Sequence, residues 1–418
     1  MPHRYFGMVL HRLISFPTLL LLCGLYAPAA AQVKMGLDVL LERGDSALQS
    51  MRLGLITNAT GVDANGKPNY ERLLQAGFRI EALFAPEHGF QIREEAGQHI
   101  YTGKTSEQIP IYSLYGTTKK PTPEMLQNLD ALLFDIQDIG TRCYTYISTM
   151  QLAMEACAAQ GKLFVVLDRP NPIAPILPQG FMLDTAYRSF VGYVKVPLVH
   201  GLTAGELAQM IQSEELPHLR LRVVAMQNFR RQRFADEDSQ FRLIPPSPNI
   251  TSLHAMLLYP ALVFLEGTNL SEGRGTDMPF EVFGAPFLDA EKVRSVLYEF
   301  KLSGVRFNTL SFMPKSLAGK SSRPKFRDKW CKGIRITITD RHAFQPFALG
   351  VAILLAIQRV HPKELQWVDG GKSLDRLAGT ARLRELIEAH ASLPTILAES
   401  QESLATYLRR WKTYWLYE

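Results

Sequence analysis

The feature that most constrains the fold is an alternation of short apolar runs with helical patterns between residues 52 and 172. Strands that are apolar on both faces and alternate with helices are typical of a parallel sheet covered on both sides. The sequence therefore predicts a doubly wound α/β domain. The apolar runs lie at 52–58, 80–85, 131–136 and 163–168, and the helical patterns at 69–76, 123–129 and 144–159.

Each of these four apolar runs ends in a polar cluster. The clusters begin at Asn58, Glu87, Asp135 and Asp168. In open α/β sheets, ligands bind in the crevice beyond the carboxyl ends of the strands. We therefore expect the four clusters to converge on one crevice.

The second half of the chain has a different pattern of predicted strands and helices. Strand patterns at 197–201 and 219–226 are expected to continue the sheet, and the glycine- and charge-rich segment EGTNLSEGRGTD follows at 266–277. Beyond 286, helical and strand patterns are mixed, which indicates a smaller α+β domain. We predict a catalytic α/β domain at 32–260 and a C-terminal auxiliary domain at 261–418, with the EGTNLSEGRGTD cleft segment near its start.

Residues 1–31 have the features of a secretory signal peptide. Arg4 and Arg12 both precede a short apolar run, and three alanines ending at Ala31 form a small-residue cleavage site. The run is too short for a comfortable membrane span. We expect an exported protein, periplasmic or secreted, with no stable membrane insertion after cleavage. An uncleaved anchor is the alternative, and the bulky leucine before Cys23 disfavours a lipoprotein anchor there.

Charge and cysteine usage argue against a nucleic-acid-binding protein and against a zinc-site or disulfide-rich protein. Removal of residues 1–31 takes away two arginines and no acids, so the net charge falls from +6 to +4. No dense stripe of basic and aromatic residues is present, so we expect no nucleic-acid partner. The remaining cysteines, Cys143, Cys157 and Cys331, have no zinc-site spacing and allow at most one disulfide.

Several common catalytic motifs are absent from the sequence. No G-x-G-x-x-G follows the first strand, and no P-loop, H-E-x-x-H or G-x-S-x-G occurs. An S-x-x-K match at 322–325 lies in a basic, proline-containing loop without its partner motifs, and we interpret it as chance. We interpret the surrounding basic run at 315–335 as a solvated loop, and the alternative is a surface that binds an anionic cell-wall polymer.

Carboxyl groups at the strand ends fit glycoside hydrolysis. That reaction needs a proton donor for the leaving oxygen and usually a second carboxylate. Glu87 suits the donor role because it follows a buried strand, and burial favours the protonated form of a carboxyl group. His88 would tune or orient it. The candidates for the second carboxylate are Asp135, Asp138, Glu266, Glu272 and Asp277.

Amide and guanidinium groups provide candidate contacts to a sugar. Amides hydrogen-bond hydroxyl or acetamido groups, and a guanidinium holds a carboxylate in a fork. The competing interpretation is that such residues are turn formers, helix caps or local ion pairs, and that Glu87 and His88 belong to a surface loop. The amide candidates are Asn58, Asn171 and Asn269, the guanidinium candidates are Arg142, Arg169 and Arg274, and the further candidate contacts are Tyr144, His200, Asn249 and Glu272.

These motifs, in this order, resemble the exo-β-N-acetylmuramidase family of bacterial cell-wall recycling enzymes (the NamZ type, glycoside hydrolase family 171). The resemblance covers nearly all of the chain after residue 31. It is carried by GLITNATGVD (54–63), LFAPEHGF (83–90), PIYSLYG (110–116), LLFDIQDIGTRCYTYISTM (132–150), VLDRPNPI (166–173), HGLTAGELA (200–208), PPSPNI (245–250) and LEGTNLSEGRGTDMPFEVFGAP (265–286).

The resemblance implies a Rossmann-like N-terminal domain that needs no nucleotide, a C-terminal auxiliary domain, and a cleft between them. It implies removal of N-acetylmuramic acid from the non-reducing end of peptidoglycan fragments, with the glutamate of P-E-H-G, Glu87 here, as the acid. We expect no cofactor and no metal. The expected partners are peptidoglycan-derived MurNAc-GlcNAc saccharides, and the chain is expected to be a monomer or a homodimer.

The sequence departs from the family pattern at 174–181, where Gln179 stands near the position of an expected acid. This departure keeps open a non-catalytic muropeptide-binding protein. A second alternative is a metal-assisted hydrolase of another cell-wall substrate that uses Glu87, His88, Asp135 and Asp138 as ligands.

Overall fold

The computed structural model describes residues 1–3, 32–95, 103–237 and 242–418. Almost all of the predicted signal peptide lies outside the described residues. Within the described ranges, no helix is both long enough and apolar enough to cross a membrane. The three cysteines in these ranges, Cys143, Cys157 and Cys331, are buried free thiols.

The strands of the described ranges are β1 (Arg52–Thr57), β2 (Arg79–Ala85), β3 (Gly103–Lys104), β4 (Pro110–Ser113), β5 (Ala131–Asp135), β6 (Leu163–Leu167), β7 (Gln179–Met182), β8 (Pro197–Val199), β9 (Arg220–Val224), β10 (Val282–Ala285), β11 (Val305–Phe312) and β12 (Cys331–Ile338). The α-helices are α1 (Gly36–Arg43), α2 (Ser46–Gln49), α3 (Asn69–Gln75), α4 (Pro123–Leu126), α5 (Tyr146–Ala159), α6 (Ala204–Glu214), α7 (Leu253–Leu262), α8 (Ala290–Glu299), α9 (Pro346–Val360), α10 (Lys372–Ala378), α11 (Arg382–Glu388) and α12 (Leu393–Arg410). Short 3₁₀ helices lie at Thr185–Tyr187, Ala235–Glu237, Val263–Gly267, Val368–Gly371 and Trp411–Tyr414.

The main sheet has the order β3-β4-β2-β1-β5-β6-β9. The six strands from β4 to β9 are parallel, and β3 is antiparallel to β4. Numbered among themselves along the chain, the parallel strands have the order 3-2-1-4-5-6 of a doubly wound nucleotide-binding fold. The predicted fold class is confirmed.

The main sheet separates two hydrophobic cores because its strands are apolar on both faces. In β1, Leu53 and Leu55 pack with helices α1 and α3, whereas Ile56 faces the other core with α5 and α6. Helix α6 begins at a capping box, in which Thr203 and Glu206 hydrogen-bond each other's backbone N–H groups.

The predicted boundary at residue 260 lies within α7, and the larger core continues across it. This core extends from Phe134 in β5 to Phe264 and to Ile334 in β12. Residues 32–418 accordingly form one compact unit. Beyond α7, a three-stranded antiparallel sheet of order β10-β12-β11 packs with α8 and α9.

One predicted strand is in a different sheet. The apolar run at 197–201 forms β8, which pairs with β7 in a separate two-stranded sheet rather than extending the main one. A run of three strand residues carries no signal of its partner, so the sequence pattern could not separate these arrangements.

Candidate active site

The crevice between β1 and β5, where this topology usually binds ligands, is filled by protein side chains. Asp135 is fully buried at the end of β5, and its Oδ1 lies 2.5 Å from Nε of Arg169. Nδ2 of Asn69 donates to the other carboxylate oxygen at 2.8 Å, and the same amide bonds to Thr57. Asp135 and Arg169 were predicted to act on the substrate, but these contacts use their polar groups to hold the sheet ends together.

The predicted acid Glu87 lies one strand away, directly after β2 and Pro86. Its side chain is buried, with 8% of the residue exposed. The hydroxyl of Thr145 donates to its Oε2 at 2.6 Å. Thr145 is the N-cap residue of α5 and makes no side-chain capping bond, so its hydroxyl serves Glu87 instead. We did not predict Thr145, although a threonine directly before an apolar helix was the available signal.

Two tyrosines on either side of Thr145 form a wall beside Glu87. Their hydroxyl groups donate to the carbonyl oxygen of Pro246 at 2.7 Å for Tyr144 and 2.6 Å for Tyr146. Burial raises the pKa of both phenols, so both are neutral. Nδ2 of Asn58 donates to the Tyr146 hydroxyl at 2.8 Å. Tyr144 and Asn58, predicted as substrate contacts, are therefore already paired within this wall.

His88 has a strained backbone and a defined tautomer. Its φ of 72° lies in the left-handed region, which non-glycine residues rarely occupy. Nδ1 lies 2.8 Å from the carbonyl oxygen of Glu94. Because a carbonyl can only accept, Nδ1 carries the hydrogen and Nε2 is left as an acceptor. Burial lowers the pKa of His88, against opposing effects of Glu87 and the Glu94 carbonyl, so the ring is neutral.

A second carboxyl group comes from the 3₁₀ helix that follows α7. Oε1 of Glu266 lies 2.7 Å from Nη1 of Arg274, and the guanidinium stacks over Phe280 at 5.0 Å. Burial raises the pKa of Glu266, Arg274 opposes the rise, and the charges of Glu272 and Glu87 add to it. Glu87 therefore lies within electrostatic range of Glu266, although Glu266 and not Glu87 is among the residues that line the cleft.

Glu266 and Arg274 line a cleft of about 580 Å³. The loop 320–325, which lies within the basic run that we predicted to be a solvated loop, also lines this cleft. That prediction is wrong about its position, because Ser322 hydrogen-bonds Glu95 on the loop after Glu87, 227 residues away. The other residues that line the cleft are Glu95, Asn249 and Glu272.

The chance interpretation of the S-x-x-K match agrees with the contacts of its lysine. Nζ of Lys325 donates to the carbonyl oxygens of Leu265 and Leu270 at 2.7 and 2.9 Å. The Ser322 hydroxyl donates to Glu95. Lysine and serine therefore tie separate segments to the loop and do not form a nucleophile–base pair.

Arg142 is structural rather than substrate-binding. It is fully buried, and its guanidinium donates to the carbonyl oxygens of Phe181, Val196 and Leu377. All three bonds are between 2.8 and 3.0 Å. This arginine joins the two-stranded sheet to α10, and it is not among the residues that line the cleft.

Asp138 and His200 form a buried pair. Oδ2 of Asp138 accepts from the Gly140 N–H at 2.7 Å and lies 3.3 Å from Nε2 of His200. The backbone N–H of Leu202 donates to Nδ1 of His200, so Nε2 carries the hydrogen, but its contact with Asp138 does not have hydrogen-bond geometry. Neither residue lines the cleft.

The remaining predicted residues divide between loop anchors and cleft residues. Asn171 donates to the carbonyl of Leu202, and Asn269 to the carbonyl of Glu364, so both amides hold loops. Asp277 is exposed outside the cleft lining. Asn249 and Glu272 do line the cleft, as expected for substrate contacts.

The two alternative functions, a non-catalytic binding protein and a metal-assisted hydrolase, depended on residues that do not line the cleft. Gln179, in the divergent 174–181 segment, accepts from the Phe347 N–H in the interior of the C-terminal half and does not line the cleft. For the metal-assisted reading, no group of three or more His, Cys, Asp or Glu side chains in the described ranges is arranged to hold a metal. Asp135 and Asp138 are held by the separate partners named above.

Fold and site together define a Rossmann-like α/β protein with a carboxylate-lined cleft between the loop after β2 and the segments after α7. The family models for the N-terminal and C-terminal parts of exo-beta-N-acetylmuramidase NamZ match residues 53–254 and 257–417. The chain therefore belongs to the exo-beta-N-acetylmuramidase NamZ family, and the resemblance predicted from sequence is confirmed.

Individual relatives are similar to this protein over almost the whole chain. The peptidoglycan beta-N-acetylmuramidase NamZ of Bacillus subtilis (strain 168) is 39% identical over 92% of this chain and 92% of its own length. Two crystal structures of DUF1343 family proteins from Bacteroides fragilis NCTC 9343 are similar to the structure of the present chain. One has a TM-score of 0.84 at 32% identity and covers 94% of this chain and 100% of its own. The other has a TM-score of 0.74 at 30% identity and covers 93% and 99%.

Proposed function

We propose that this protein is an exo-acting glycosidase that releases N-acetylmuramic acid from the non-reducing end of peptidoglycan fragments during cell-wall recycling. The observation that carries the proposal is the buried carboxyl group of Glu87, which accepts a hydrogen bond from Thr145 beside a cleft lined by Glu266 and Arg274. The near full-length similarity to a peptidoglycan beta-N-acetylmuramidase supports the choice of substrate.

In this mechanism Glu87 protonates the glycosidic oxygen as the bond to the anomeric carbon breaks. The neutral His88 beside it adds no positive charge, and its Nε2 is an acceptor for a substrate or water hydrogen. The positive charge that develops on the sugar is stabilised by the Glu266 carboxylate or by the acetamido oxygen of the substrate. Arg274 holds the Glu266 carboxylate in place.

The test compares two substrates that differ in their need for an acid. A 4-nitrophenyl N-acetylmuramide has a good leaving group, whereas the MurNAc-GlcNAc disaccharide needs protonation. Removal of a general acid costs about 10² to 10⁴ in rate where protonation is needed. We expect Glu87→Gln to lose that factor on the disaccharide and much less on the chromogenic substrate, whereas Glu266→Gln slows both to a similar extent.

Glu107→Gln is the matched control, because Glu107 is exposed and lies outside the cleft lining. Equal losses of Glu87→Gln on both substrates would remove the acid role from Glu87. If the wild-type protein cleaved neither substrate, the proposed activity itself would be wrong.

We also propose that the protein is exported and acts in the periplasm or outside the cell. The basic flank, apolar run and three alanines of residues 1–31 support this. Mass spectrometry of the protein from a periplasmic fraction should show a new N-terminus at Gln32, and an intact Met1 would contradict the proposal.

A further inference from the structure

The carboxyl groups in and beside the cleft would make the binding of an anionic substrate unfavourable. N-acetylmuramic acid differs from N-acetylglucosamine by a 3-O-lactyl ether that ends in a carboxylate. Four carboxyl groups lie in or beside the cleft, and two of its cations are used by protein partners. The carboxyl groups are those of Glu87, Glu95, Glu266 and Glu272, and the two cations are Arg274 and Lys325. With these groups alone, the cleft would repel the lactyl carboxylate.

The three arginines predicted to hold an anion all have other partners. Arg142 bonds three carbonyl oxygens, and Arg169 pairs with Asp135. Arg274 lies between two carboxylates of the site itself. The other cations that line the cleft, Lys320 and Arg323, are therefore the candidates to receive the carboxylate.

Arg323 fits this requirement. It is exposed and lines the cleft, and among the described residues its guanidinium makes no hydrogen bond or ion pair. A guanidinium binds a carboxylate through two parallel hydrogen bonds, which a lysine cannot reproduce.

The backbone that carries Arg323 is fixed on both sides. The N–H and hydroxyl of Ser322 donate to one oxygen of Glu95 at 2.8 and 2.9 Å. Pro324 on the other side is buried, and the carbonyl of Lys320 accepts from the Asn249 amide at 2.8 Å. A preorganised loop lowers the entropy cost of binding, because only the Arg323 side chain remains to be ordered when substrate arrives.

We propose that Arg323 binds the lactyl carboxylate of the terminal N-acetylmuramyl residue and sets the preference for muramic acid over glucosamine. This proposal rests on the proposed muramidase function. Arg323 contacts the substrate but takes no part in bond cleavage.

The test measures kcat/KM on three 4-nitrophenyl glycosides: the N-acetylmuramide, its lactyl methyl ester and the N-acetylglucosaminide. We expect Arg323→Gln to lower kcat/KM for the muramide about 10- to 100-fold, the range of a hydrogen-bonded charge pair. The values for the ester and the glucosaminide should change less than about twofold, so the preference collapses. Arg323→Lys should retain part of it, because charge remains while the fork is lost.

Arg327→Gln is the matched control, because it removes the same charge from the same loop outside the cleft lining. It should behave as wild type, and equal melting temperatures would show that both variants fold. An unchanged muramide preference in Arg323→Gln would overturn the proposal, as would loss of that preference in Lys320→Gln with Arg323→Gln unaffected.

Failure of the muramidase function is separable from failure of this assignment. If wild-type protein hydrolysed none of the three glycosides, calorimetric titration with free N-acetylmuramic acid would still test Arg323. Wild type should then bind it about 10-fold or more tightly than Arg323→Gln does. Equal affinities would refute the carboxylate contact.

Discussion

Thr145→Val tests whether the position of Glu87 depends on one hydrogen bond. The substitution keeps the shape of the side chain and removes the hydroxyl that lies 2.6 Å from Oε2 of Glu87. Hydrogen bonds to charged groups contribute about 1.5 to 3 kcal/mol, and each 1.36 kcal/mol of lost transition-state stabilisation is about tenfold in rate. We therefore expect kcat on the MurNAc-GlcNAc disaccharide to fall about 10- to 100-fold.

The split between kcat and KM separates positioning from packing. If the Thr145 hydroxyl orients Glu87 for proton transfer, Thr145→Val should lower kcat while KM changes little. Because Thr145 makes no side-chain cap bond to α5, helix stability should be largely retained.

Thr145→Ser is the matched rescue, because serine restores the hydroxyl and removes only a methyl group. It should recover most of the wild-type kcat. The reasoning is refuted if Thr145→Val keeps a rate within about twofold of wild type, or if serine is as damaging as valine.

Two further predictions concern stability. Arg142→Met leaves three buried carbonyl oxygens without donors, so the free energy of unfolding in urea should fall by roughly 3 kcal/mol or more, and an unchanged midpoint would contradict this. Burial raises the pKa of Asp168 from 3.8 to about 6, against hydrogen bonds from Tyr417 and Thr203. The folded state therefore binds this proton more tightly than the unfolded state, and the resulting stabilisation is lost as pH rises from 4 to 7. Relative to the Asp168→Asn variant, the free energy of unfolding of wild type should fall by about 3 kcal/mol over that window. If urea denaturation gave the same difference between the two proteins at every pH, this prediction would be wrong.

The sequence predicted the main sheet because its signal is local. Each apolar strand and the helix after it are read within about 20 residues, and proline or glycine marks the strand ends. Glu87 could be found in the same way, since it directly follows β2. The short strands β4 and β10 were missed because four residues carry too little periodicity.

The roles of the arginines could not be predicted, because their partners are distant in the chain. Arg142 reads like a substrate-binding residue after a strand, but it bonds the carbonyl of Leu377, 235 residues later. The loop 320–325 reads like a solvated basic segment until its contact with Glu95 places it on the cleft. In both cases local composition is the same for a free arginine and a paired one, and only tertiary contacts distinguish them.

Filling the β1–β5 crevice has a consequence for how the site is assembled. Because Asp135, Arg169 and Asn69 occupy that space, the proposed acid Glu87 comes from the neighbouring strand end. The first family segment thus contains the proposed acid and Thr145, and the second contains Glu266 and Arg274, which line the cleft. In the proposed mechanism neither segment contains a complete site. The core that runs uninterrupted through α7 therefore holds the two halves of the proposed site in fixed positions relative to each other.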